Sequence, residues 1–170
     1  MGALSINRRV NQGDYSEFMP QFPAFTLISH VCAKGLQAGS VLGLCVVLPI
    51  LQMRGRGASS FSQRWTRVMS SLPLVSGATA TAMLYGMVEH KGIDEVGVDD
   101  RAYRLSHNEG QLQLDKWSAV GTAGGVMAGV LAGRSVVAGA LTGTAFGVVS
   151  YILAKNVAQM PPTLDRGEKK

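Results

Sequence analysis

Aromatic residues are scarce in this sequence: Phe, Trp and Tyr make up 6% of 170 residues. A water-soluble core draws much of its buried area from aromatic and large aliphatic side chains. Cysteine is scarce too. Cys32 and Cys45 lie in one apolar block, thirteen residues apart. That spacing excludes a paired CxxC zinc site and a disulfide framework, and both read as buried thiols behaving as small apolar residues. The chain carries a net charge of +5 but no long basic run, which argues against a nucleic-acid partner. The segment Met1–Pro23 holds Arg8 and Arg9 together with Asp14 and Glu17. It lacks the apolar core of a cleaved signal peptide. Ile6 stands where N-myristoylation needs Ser or Thr. Any organellar address is therefore expected to be internal.

Chemistry-bearing motifs are also missing. His30, His90 and His107 are far apart in the sequence, and Asp94, Asp99 and Asp100 lack the ligand spacing and central glycine of a calcium loop. No phosphate loop or dinucleotide fingerprint occurs. Serines such as Ser59 and Ser60 have no basic partner nearby in sequence. The expectation is no catalytic residue, no cofactor, no metal and no small-molecule substrate.

What is present is a set of apolar blocks. Mean hydropathy is only +0.17, because charged connections dilute four uncharged stretches. These are nineteen residues over 35–53, twenty-one over 68–88, seventeen over 117–133 and twenty over 135–154. A helix rises about 1.5 Å per residue, so about 20 residues cross a hydrocarbon core of about 30 Å. The pattern predicts an all-α membrane protein with four transmembrane helices, at about 24–53, 68–88, 117–133 and 135–154. An extramembrane segment, 1–23, precedes them and an exposed tail, 155–170, follows. Pro49 and Pro73 fall inside the first two blocks. A membrane bundle tolerates such kinks; alternatively Pro73 sits in the first turn of a helix that starts late.

Charge assigns the sides. With four crossings, both termini share a side with the long connection 89–116, where Glu89, Asp94, Glu95, Asp99, Asp100, Glu109 and Asp115 face four bases. The other side carries Arg54, Arg56, Arg64, Arg67 and Arg134 and no acid. Short basic loops stay on the cytoplasmic or matrix side. Gly133-Arg134-Ser135 reads as a tight hairpin turn. Trp65 and Trp117 stand beside charged block ends, where an aromatic belt places them.

The most informative feature is glycine at every fourth position. Gly35, Gly39 and Gly43 form a stripe in the first block, Gly121, Gly125, Gly129 and Gly133 in the third, and Gly139, Gly143 and Gly147 in the fourth. Ala78, Ala82 and Gly86 make a weaker version in the second. Spacing of four returns to one helix face, and a face without side chains lets a neighbouring backbone approach. These stripes are expected to pack helix on helix, and one of them also to dock on a different protein.

Four glycine-zipper helices with a basic loop between the first two resemble the mitochondrial inner-membrane preprotein translocase family. The stretch Asp115–Gly147 carries the likeness, above all Gly121-Thr122-Ala123-Gly124-Gly125, Gly129 and Gly133-Arg134. The family signature has an Arg four residues before an Asp, then a small-Gly-x-x-x-Gly pattern. Asp115 matches the Asp, Gln111 replaces the Arg, and the glycines fall about two residues out of register. Such a departure is similar to a divergent branch, the four-helix accessory subunit of respiratory complex I that shares the fold. The resemblance implies an inner-membrane location, with the termini and 89–116 on the intermembrane-space side and 54–67 on the matrix side. It implies a non-catalytic accessory subunit whose partners are membrane subunits of a large multi-subunit complex. The alternative is a component of a preprotein translocase or transport complex, with Gln37, Ser70, Ser71, Ser76, Thr79 and Thr81 lining a polar groove.

Two charged features remain open. Lys34 either marks the head-group level or is a functional intramembrane charge. Arg54, Arg56, Arg64, Arg67 and Arg134 are expected to meet lipid head groups, such as those of cardiolipin, or a partner's acid.

Overall fold

The computed structural model describes residues 22–54 and 60–158. Within them the fold is all-helical. Helix α1 spans Pro23–Arg54 and α2 spans Phe61–His90. A short helix α3, Glu95–Ser106, precedes α4, Glu109–Leu131, and α5, Val136–Ala158. Residues 1–21, Arg56 and the tail from 159 lie outside the described residues.

Local chemistry explains the boundaries. Pro23 opens α1, where its missing N–H costs nothing. Within α1, Gly43–Val47 widens into a π-helical turn, with the Leu48 N–H reaching the Gly43 carbonyl. Pro49 follows at once. It cannot donate to the carbonyl four residues back and its ring crowds it, so the widened turn takes up the misfit. Helix α2 starts earlier than the uncharged stretch implies, because Ser60 and Gln63 form a reciprocal capping box. Pro73 is therefore interior to α2 and buried, not in a first turn. Asp94 caps α3 through the Gly97 N–H, and Asn108 caps α4 through the Gln111 N–H. The connection 89–116, read as an acidic loop, is thus largely helical.

Two helices end in the same way. Gly92 (φ 57°) and Gly133 (φ 59°) are left-handed. At the second, Arg134 N–H bonds the Gly129 carbonyl at 2.9 Å and Gly133 N–H bonds the Val130 carbonyl at 3.1 Å. This is a Schellman closure with glycine at its left-handed position. Helix α4 stops at Leu131, and Gly133 makes the hairpin turn instead of packing.

Helix α5 is the centre of the bundle. It packs on α1, α2 and, most extensively, α4. Its buried face includes Ala138, Gly139, Leu141, Gly143, Thr144, Ala145 and Gly147. Ala138 and Leu141 join Leu48, Val68 and Met69 in one apolar cluster. A second cluster joins Ala24 and Leu27 to Leu84, Val88 and Val98, so α3 lies across the ends of α1 and α2.

Three helices are long and apolar enough to cross a membrane: Pro23–Arg54, Phe61–His90 and Val136–Ala158. They keep large side chains outward, including Val75 at 61%, Met83 at 70% and Phe146 at 60% exposure. Water penalises so broad an apolar exterior and lipid does not. Helix α4 falls short of this measure. Four of its residues between 117 and 131 are Ala or Ser and four are Gly, small side chains that contribute little hydrophobicity.

Candidate functional site

The helix pairs meet backbone to backbone. Along α1 and α2 the register is antiparallel: Gly35 faces Gly77, Gly39 faces Pro73 and Gly43 faces Met69. A methyl group on Gly35 would lie 2.7 Å from the Gly77 Cα, and one on Gly39 would lie 2.7 Å from the Pro73 Cα. The facing surface on α2 is therefore Met69, Pro73 and Gly77. Ala78, Ala82 and Gly86 sit one position round, exposed, with nothing within 4 Å of Gly86. A stripe of small residues there was the wrong face: size alone did not reveal that a buried proline serves as a small residue.

Helices α4 and α5 are closer still. Gly121 and Gly125 face Gly143, Gly147 and Gly139, and carbonyl oxygens occupy the space where each Cβ would stand. A methyl group on Gly129 would lie 3.3 Å from the Val136 Cα. The Thr122 and Thr144 hydroxyls lie 2.7 Å apart across the seam and hydrogen-bond. Tyr151 closes one end by donating to the Gly110 carbonyl. Arg134 closes the other by donating to the Ser62 hydroxyl of α2 at 2.8 Å. Nine of the ten glycines expected to pack, all but Gly133, meet a neighbouring helix.

A polar cluster joins the two helix pairs. The Lys34 ammonium lies 2.5 Å from an Asp115 carboxylate oxygen, although 81 positions separate them. Gln37 donates to the same oxygen at 2.8 Å and accepts from Lys34 at 3.2 Å. His30 Nδ1 is 3.6 Å from the other carboxylate oxygen. His30, Lys34 and Gln37 recur at helical spacing on one face of α1. Gln111 stands one turn before Asp115, its side-chain oxygen buried. Lys34 and Asp115 are 27% and 33% exposed, at the charged edges of the uncharged stretches. Lys34 thus has a fixed counter-ion. The pair ties α4, otherwise held chiefly by α5, to α1. Sequence spacing gave no sign of this pairing, because the cluster forms only when α1 and α4 lie side by side.

The arginines divide. The Arg64 guanidinium donates to the Leu51 carbonyl at 3.2 Å, satisfying an orphan carbonyl at the end of α1. Arg54 and Arg67 are exposed at the same end of the bundle as Arg134. Beside them opens an apolar groove of about 630 Å³, bounded by Leu44 of α1, Phe61 and Trp65 of α2, and the Gly124 and Phe146 sides of α4 and α5, with Arg134 on its lining. The acids of 89–116 have local work: Asp94 caps α3 and Asp100 pairs with Arg104 at 3.0 Å.

The sequence model of a protein family described as Protein of unknown function (DUF1757) matches residues 15–154. The chain belongs to this family. The match covers α1 through α4 and most of α5, so the glycine seams and the Lys34–Asp115 cluster lie in the family's shared region. No curated protein matches the chain.

Proposed function

We propose that this chain is a non-catalytic accessory subunit of a mitochondrial respiratory complex, complex I (NADH:ubiquinone oxidoreductase), in the inner membrane. All four long helices cross the bilayer. Helix α4 crosses because its glycine face is closed on α5 and its Lys34–Asp115 ion pair sits at the membrane edge. Both termini and α3 face the intermembrane space and the basic 54–67 connection faces the matrix, as the positive-inside rule requires.

The observation that carries the reading is the closure of both helix pairs by backbone contact, with large apolar side chains left outside. Such a bundle is a rigid block with an adhesive exterior, suited to filling and stabilising a larger membrane assembly. Two of the polar residues of α2 that would line a translocating groove are used locally. Ser71 donates to the Arg67 carbonyl at 2.7 Å and Thr81 to the Gly77 carbonyl at 3.0 Å. This favours an accessory subunit over a preprotein translocase component.

The test is a native gel of detergent-solubilised membranes, probed for the chain and stained for NADH dehydrogenase activity. Migration with the active band at very high mass is expected. Migration in a smaller complex, or with arrested precursor, overturns the proposal in favour of the translocase.

A further inference from the structure

We propose that the groove beside Arg134 is a specific site for one anionic phospholipid, whose acyl chain lies against the glycine face and whose phosphate meets the Arg134 guanidinium. The inference rests on the membrane-embedded reading but not on complex I membership.

Size restricts the occupant first. The groove holds about 630 Å³, within the ~300–1,000 Å³ of ligand clefts. A partner helix about 10 Å across occupies more than ~1,000 Å³ over three turns, so the groove would enclose only one face of it. An acyl chain is narrow and flexible. The walls suit it: Leu44, Phe61, Trp65 and Phe146 supply apolar side chains, and Gly124 has nothing within 4 Å of a built Cβ.

Charge restricts it further. Arg134 is exposed at the groove and gives one hydrogen bond, to Ser62. That bond orients the guanidinium and leaves further donors for an anion. Among the described residues no carboxylate lies nearby. No Asp or Glu occurs from 22 to 88 or from 116 to 158, so no described acid belongs to this end of the bundle. Arg54, Arg64 and Arg67 raise the positive potential around it. An apolar slot ending in an unneutralised cation is complementary to a lipid with net negative charge. Phosphate is an oxyanion that an Arg fork binds through paired donors.

Trp65 reports occupancy, because the chain has only two tryptophans and Trp117 is outside the groove. Full-length Trp117→Phe protein is reconstituted into vesicles of zwitterionic phospholipid. A small fraction of phospholipid brominated on its acyl chain is added, either anionic or zwitterionic. Bromine on a lipid seated in the groove quenches Trp65 emission.

The expected result is about five-fold more effective quenching by the anionic lipid than by the zwitterionic one, corresponding to one cation–head-group contact. Arg134→Gln should abolish that preference. Gly124→Leu, which adds bulk where space is open, should reduce quenching by both lipids while the protein remains helical. Equal quenching by both lipids overturns the proposal and identifies ordinary boundary lipid. A preference that survives Arg134→Gln, or quenching untouched by Gly124→Leu, places the lipid elsewhere and also overturns it. Absence of quenching by either lipid overturns the membrane placement itself.

Discussion

A single methyl group tests the α4–α5 seam. Built on Gly143, it would stand 2.8 Å from the Gly121 carbonyl carbon and 2.9 Å from the Gly125 Cα, besides crowding the Gly121 carbonyl oxygen. Ordinary carbon–carbon contact needs about 3.5–4.0 Å. These are backbone atoms, so no rotamer change relieves the clash and the helices must part by roughly 1 Å. Overpacking of this kind costs typically 1–3 kcal/mol, and a gap of that width forfeits up to about half of each neighbouring dispersion contact. Gly143→Ala should therefore destabilise the protein by about 2 kcal/mol. Gly125→Ala should do likewise, since its methyl meets the Gly139 carbonyl carbon at 2.9 Å and the Gly143 Cα at 3.0 Å. The double variant should cost clearly less than the sum of the two, because the first methyl opens the gap that the second needs. Gly124→Ala is the control. Its methyl meets nothing within 4 Å, and alanine favours helix over glycine by up to about 1 kcal/mol, so it should be neutral or slightly stabilising. The assay is reversible unfolding in mixed micelles, followed by far-ultraviolet circular dichroism. Equal stability of Gly143→Ala and Gly124→Ala, or strict additivity in the double variant, would refute the account of the seam.

Other perturbations have equally definite outcomes. Lys34→Met and Asp115→Asn should each destabilise the bundle by roughly 1–2 kcal/mol, modest because both side chains are partly exposed; exchanging the two charges should recover part of the loss in the same unfolding assay. Gly133→Ala forces a left-handed alanine at the hairpin and should cost about 1–2 kcal/mol, against little effect of alanine at the exposed Gly86 in identical micelles. Val98→Asp places a charge in the cluster with Leu27 and Leu84, so hydrogen–deuterium exchange should accelerate across 95–106 while α5 stays protected.

The helices were legible where periodicity and charge spacing coincide. Uncharged blocks located α1, α2, α4 and α5, and the four-residue glycine spacing marked the faces of α1, α4 and α5. The boundaries were less legible, because block edges follow charge whereas helix ends follow capping. Ser60-x-x-Gln63, Asp94 and Asn108 carried start signals that the charge count passes over, and they extend α2 and α4 well beyond the apolar blocks. The α2 face was misread for a different reason. Burial of Pro73 against Gly39 depends on the partner helix, and no property of α2 alone favours Pro73 and Gly77 over Ala78 and Ala82. The Lys34–Asp115 cluster has the same origin: both residues stood out in the sequence, but only the topology brings them together.

The claim on which the rest depends is that α4 crosses the membrane although it alone of the four long helices falls short of the apolarity of a membrane span. It is tested by replacing Cys32 and Cys45 with Ala, introducing a single cysteine at either His107 or Arg134, and labelling sealed vesicles with a membrane-impermeant maleimide. His107 lies before α4 and Arg134 after it. Four crossings predict labelling of the two positions from opposite sides of the membrane. Labelling of both from the same side would show that α4 does not cross and would contradict the account.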